Sequence, residues 1–112
     1  MSFDVLIIKP NNATIEDLSE VEDVAPLGEA VIVENAINSA FPGAVNGIWQ
    51  SRDFSVEAQI SGNPVESAHL TVHFASTWSK TSETQLLKCM TTLCQKIDAV
   101  AFSVSDNSKL AP

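Results

Sequence analysis

Basic side chains are scarce in this sequence. Six lysines and arginines stand against fourteen aspartates and glutamates, for a formal charge of −8 and a pI near 4.4. That excludes the concentrated positive surface with which proteins displace counterions from nucleic acid or settle on anionic membranes. Long apolar runs are missing too, and none approaches the roughly eighteen residues of a membrane span. The opening residues Met1-Ser2-Phe3-Asp4 carry neither the basic segment nor the apolar stretch of a secretory signal, so a cytoplasmic protein is expected. Glycine occurs only four times, and neither G-x-G-x-x-G nor G-x-x-x-x-G-K-[ST] can be written, which removes the phosphate-cradling loops. The two cysteines, Cys89 and Cys94, are not a C-x-x-C pair. On a helix they point about 140° apart, too divergent for a disulfide, and they read as core filler in a reducing compartment.

What is present fits one globular domain. Over 112 residues, 45% are apolar and 18% charged, which is enough to bury a single core without staples. Residues 3–8 form a β-branched run with apolar side chains on both faces (Phe3, Val5, Ile7 against Leu6, Ile8), so a strand covered on both sides is expected. Within 13–26, Ile15, Leu18 and Val21 recur every third residue, which allows a helical turn; sequence alone leaves its order open. A helix follows over 28–41, its stripe carried by Ala30, Val33, Ile37, Ala40 and Phe41, with Glu29 in the first turn and Pro42-Gly43 as the stop. Residues 48–50 read as a short strand.

The clearest alternation runs from Phe54 to Ile60 and resumes from Ser67 to Phe74 across a Gly62-Asn63-Pro64 turn, predicting an antiparallel hairpin. Its polar face would carry His69, Thr71 and His73. Ser82-x-x-Gln85 has the capping-box pattern and opens a helix with Leu86, Met90, Leu93 and Ile97 on one face. Residues 99–104 read as the last strand, with Val100, Phe102 and Val104 on one side, and a loose tail is expected from about 105. The predicted fold is therefore α+β: a two-layer sandwich of a mostly antiparallel sheet with two helices on one face. The order β-α-β-β-β-α-β is a ferredoxin-like variant.

Little in the chain resembles catalytic machinery. His69 and His73 are four apart on a strand, which separates them by about 13 Å and prevents them from sharing a zinc ion. Nucleophilic catalysis needs a nucleophile within reach of a base. The histidines are predicted to face away from the side of the sheet where the cysteines lie, and no G-x-S-x-G motif occurs. No catalytic residue, metal or cofactor is assigned from the sequence.

The charge is unevenly spread. Residues 1–34 hold eight acids and one base, net −7, whereas the rest hold six acids and five bases, net −1. The plain explanation is a solubilising loop with acids at a helix start. The sharper one is a patch that steers a basic partner, because like charges clustered within a Debye length of about 8 Å add their fields. The partner-binding candidates are Glu16, Asp17, Glu20, Glu22 and Asp23, with Glu29 and Glu34 on the helix.

From Asp53 onward the chain resembles a family of small uncharacterised bacterial proteins whose pattern is of the type F-S-I-E-F…P-V-E-S…L-H-V. Here it reads Phe54-Ser55-Val56-Glu57-Ala58, then Pro64-Val65-Glu66-Ser67 and Leu70-Thr71-Val72, followed by Leu93-Cys94. The Ala40-Phe41-Pro42-Gly43 helix exit is similar as well. The end departs from the pattern, with Ser108-Lys109-Leu110 where members often close on Gly-Glu-Phe-Leu. The resemblance implies the same architecture and a bacterial source and transfers no catalytic residue. Small acidic proteins of this type include immunity proteins, so the expected function is non-catalytic: an immunity protein or inhibitor that covers a basic toxin domain. The alternative is a self-associating accessory domain, for which a homodimer would form through a sheet edge or the polar sheet face, and a small enzyme comes third.

Overall fold

The computed structural model describes residues 2–12 and 14–111. Met1, Ala13 and Pro112, the ends of the expected 1–112 domain among them, lie outside the described residues. The elements run β1 (Ser2–Pro10), β2 (Val24–Ala25), α1 (Ala30–Ala40), β3 (Ile48–Gln50), β4 (Phe54–Ser61), β5 (Ser67–Phe74), α2 (Lys80–Ile97), β6 (Val100–Ser103) and β7 (Lys109–Ala111). Among the described residues the sheet is antiparallel throughout, in the order β3-β4-β5-β1-β6-β7, and β2 pairs with the far end of β1. Its inner four strands, β4-β5-β1-β6, have the ferredoxin-like order, with β3 and β7 added at the two edges.

The helices pack on one face, as the apolar stripes require. Val33, Ala36, Ile37 and Ala40 of α1 and Leu86, Met90, Leu93, Cys94 and Ile97 of α2 are buried. They close over Val5 and Ile7 of β1, Phe54 and Val56 of β4, and Ala68, Leu70 and Val72 of β5. Near one end, ring contacts run from Phe41 through Trp49, Phe54 and Trp78 to Phe74, with centroids 4.5–5.5 Å apart. Gly47 admits β3 to this edge. Its φ is +78°, and a Cβ there would meet the Ala58 carbonyl oxygen at 2.8 Å.

Two helix starts differ from the sequence reading. The first helix begins at Ala30, so Glu29 is the N-cap, with no side-chain capping bond, and is not in the first turn. The capping box of α2 lies three residues earlier than expected: Ser79 is the N-cap and Ser82 supplies the reciprocal side chain. Ser82 is selected because it has a second role. It is buried, and its hydroxyl donates to Asp53 Oδ2 at 2.9 Å, tying the helix start to the β3–β4 connection.

The tail is a correction. Residues expected to be loose from about 105 turn back and add β7 to the sheet beside β6. Asp106 Oδ1 accepts from the Ser108 backbone N–H (3.1 Å) and hydroxyl (2.7 Å), and Asn107 takes φ +62°, a conformation asparagine tolerates well. Ala111 is then buried against the main core.

Candidate functional site

The second apolar face of β1 decides what residues 11–25 do. Alternation sends Phe3, Val5 and Ile7 to the helices, and hence Leu6 and Ile8 to the opposite side. There Leu6 stands opposite Phe102 and Ile8 opposite Val100 of β6. Ile8, Val100 and Phe102 are buried with no helix above them; their cover is Ile15, Leu18, Val21 and Val24 of the acidic segment. The spacing of three that allowed a helical turn is realised as a single 3-10 turn, Leu18–Glu20, capped by Asp17, whose carboxylate accepts from the Ser19 backbone N–H at 2.9 Å. The segment is thus a strap across the back of the sheet, a partial third layer.

Main-chain bonds fasten the strap at both ends. Asn11 donates to Asp23 O (3.2 Å) beside the β1–β2 pairing. At the other side Leu18 donates to Asn107 O (2.8 Å) and Lys109 donates to Glu16 O (3.2 Å), around an isolated Asp17–Ser108 bridge. The returning tail therefore holds the strap as well as the sheet edge. Asp17 and Asp106 face each other across this junction. The Ser19 hydroxyl and N–H hold the Asp17 carboxyl below the ordinary carboxylate value, and Ser108 does the same for Asp106.

The seven acidic candidates fall into two groups. Glu16, Asp17, Glu20, Glu22 and Asp23 lie on the strap; all but the half-buried Asp17 are exposed. Glu20, Glu22 and Asp23 line one concavity of about 330 Å³ together with Asn11, Asn12 and Ile15. Glu29, the N-cap, and Glu34 go with α1, on the helix side of the sheet. Glu34 lines a different concavity of about 370 Å³ with Asn38, Ala44 and Asn46. One continuous patch of all seven does not form, because the strap and α1 cover opposite faces. No family model, curated protein or solved structure matches this chain.

Other polar groups share the strap's side of the sheet. The strap covers only the β1–β6 half; over β4 and β5 the face is open, carrying Glu57, Gln59, His69, Thr71 and His73 in facing register. Asp4, on the same face of β1, lies 3.1 Å from His69 Nε2 and accepts from the Thr71 hydroxyl at 3.3 Å. Among the described residues this His69–Asp4 contact is the one approach of a basic side chain to a carboxylate within 4.0 Å, so none of them places a base that close to the strap carboxylates. Sequence reasoning singled out the loop acids and missed Asp4 and Glu57. The signal was available: Asp4 shares its parity with Leu6 and Ile8, and Glu57 alternates with Val56 and Ala58.

The thiol–imidazole pairing weighed from the sequence is not formed. Cys94 is buried and Cys89 half-buried on α2, on the far side of the sheet from the histidines. Burial pushes both thiols up, Cys94 to about 12, which keeps them protonated and weakly nucleophilic at neutral pH. No helix among the described residues is long and apolar enough to cross a membrane.

Proposed function

We propose that this chain is a stoichiometric protein-binding module whose acidic strap covers a basic surface of its partner, in the manner of an immunity protein that neutralises a basic toxin domain. The observation that carries this reading is the fastening of the strap. Its apolar side chains are spent on Ile8, Val100 and Phe102, and among the described residues no base lies within 4.0 Å of its carboxylates. A cluster held in this way keeps its mutual repulsion until an oppositely charged surface relieves it. A fastened loop also loses little conformational freedom on binding. The resemblance to small acidic bacterial proteins points the same way by type. Glu20, Glu22 and Asp23 are the centre of the surface, Glu16 and Asp17 its extension, and Asp4 and Glu57 a neighbouring floor; Glu29 and Glu34 are outside it.

The self-associating alternative has less support. The edge strands β3 and β7 are three residues each, the short edges that monomers use to avoid pairing. Sedimentation at micromolar concentration separates the two readings, since a concentration-dependent dimer favours the alternative.

Affinity capture from the native cell with the wild-type chain and with the Glu20→Lys/Glu22→Lys/Asp23→Lys variant tests the main reading. A basic protein held by the wild type alone is expected. Its association rate should fall about tenfold or more at low salt in the variant, with a flattened salt dependence. Equal rates and salt dependences for the two baits would remove the acidic strap from the interface.

A further inference from the structure

Away from the strap, on the helix side, the first half of α2 does not close completely on the sheet. Phe3 at the start of β1, Phe74 at the end of β5, Trp78 in the following connection and Leu110 of β7 leave a cleft of about 220 Å³ against it. Leu86 and Met90 are its buried floor, and its remaining lining is Leu87 and a single charged side chain, Glu83. The cleft is below the roughly 300 Å³ at which drug-sized ligand sites begin, so it suits one side chain better than a cofactor.

We propose that this cleft receives a lysyl side chain presented by a protein partner. Leu86, Met90 and Leu87 match the methylene stem. Phe74 and Trp78, packed at 4.5 Å between ring centroids and tilted by 55°, join Phe3 in offering aromatic surface to an ammonium group. Aromatic faces attract cations through the ring quadrupole, and desolvation by apolar walls strengthens that attraction. Glu83, exposed in the first turn of α2, supplies the countercharge at the rim. A neutral apolar side chain would fill the same space and leave the carboxylate unused. A carboxylate-bearing one would be repelled by Glu83 and by the chain's net charge of −8. The proposal does not depend on the strap reading, because the two surfaces lie on opposite layers.

The test is a nuclear magnetic resonance titration of the full chain with Nα-acetyl-lysine methylamide and with its neutral counterpart, Nα-acetyl-norleucine methylamide. The indole N–H of Trp78 is the reporter. That of Trp49, committed to the Pro42 carbonyl oxygen at 2.8 Å, is the internal reference. The lysine compound should shift Trp78 saturably in the millimolar range while Trp49 stays fixed. It should bind about fivefold more tightly than the norleucine compound. Glu83→Gln, at an exposed position that leaves the fold intact, should abolish most of that preference. No saturable shift, equal affinity for the two compounds, or an unchanged preference in Glu83→Gln would each overturn the proposal.

Discussion

On the helix side of the sheet, two regular stripes interlock with β1, β4 and β5, and most of the buried apolar side chains meet there, Phe41 and Phe54 among them. On the strap side, Ile8, Val100 and Phe102 are covered by four part-buried side chains of a segment with three residues of 3-10 turn. The same central strand feeds both layers, yet they are built differently. A helix hides its own backbone polar groups and presents one apolar stripe, so it covers a sheet efficiently and leaves little freedom for its outer face. An irregular strap covers less and must find main-chain partners in Asn107 and Lys109 of the tail and in Asn11 just past β1, but it can turn consecutive carboxylates outward. The helix layer therefore sets the stability of the molecule, and the strap layer trades stability for presentation.

The largest expected effect tests the first half of that statement. Leu93 is completely buried in α2, within the helix-side core. Leu93→Ala should cost about 2–5 kcal/mol, the range for leucine truncations in well-packed cores, read as a lower urea midpoint with an unchanged slope. A cost under about 1 kcal/mol would mean that the helix layer is loosely packed and would break the comparison. Leu18→Ala, at a half-buried strap position, should cost about 1 kcal/mol, in proportion to the smaller area it covers. Its effect should be local. Protection of the Leu18 and Lys109 amides against hydrogen exchange should fall while that of α2 amides holds. Loosening that spreads to α2 would make the strap part of one cooperative core.

How far these two layers could be read from the sequence follows from how they are built. The helices, the hairpin and the two-faced β1 were legible because each repeats its apolar residues at the period of its element. Both-sided cover for β1 was legible as a need, but the identity of the cover was not. Ile15, Leu18, Val21 and Val24 keep a spacing of three that allows a helical turn but does not show which surface it covers, and their docking depends on the partner strand β6. The tail is not legible because β7 carries a half-buried lysine, a half-buried leucine and one alanine, too little for alternation to register, and its place is fixed by the Asp106–Ser108 turn. The acidic candidates were legible as residues but not as a surface. Strand parity was needed to add Asp4 and Glu57, and the strap–helix separation to remove Glu29 and Glu34.

Smaller effects sharpen the comparison from the charge side. The Glu20→Lys/Glu22→Lys/Asp23→Lys variant should change thermodynamic stability by no more than about 0.5 kcal/mol, as exposed substitutions do. Calorimetric unfolding at low ionic strength checks this. A gain is more in keeping with the strap layer than a loss, because reversing three charges relieves repulsion among the remaining acids. A large loss would show that those side chains hold the strap in place and are not free for a partner.

The smallest effect is a pH response confined to the junctions. Asp17 and Asp106 in the strap layer have carboxyl groups lowered by Ser19 and Ser108; in the helix layer Asp53 is lowered by Thr77 and then Ser82. A carboxyl lowered in the folded chain contributes stability above its ordinary value, and that contribution is lost as pH falls through the lowered one. Protection of the Leu18 amide should therefore decline below about pH 4. Acid also removes repulsion across the strap, which acts in the opposite direction, so the informative measurement is the difference from a variant. Asp17→Asn with Asp106→Asn should flatten the decline at Leu18 and leave the start of α2 unaltered. Asp53→Asn should do the reverse, flattening the acid response of the first α2 amides alone. If either variant altered both places, the two layers would be coupled through the sheet and the division between a stabilising side and a presenting side would fail.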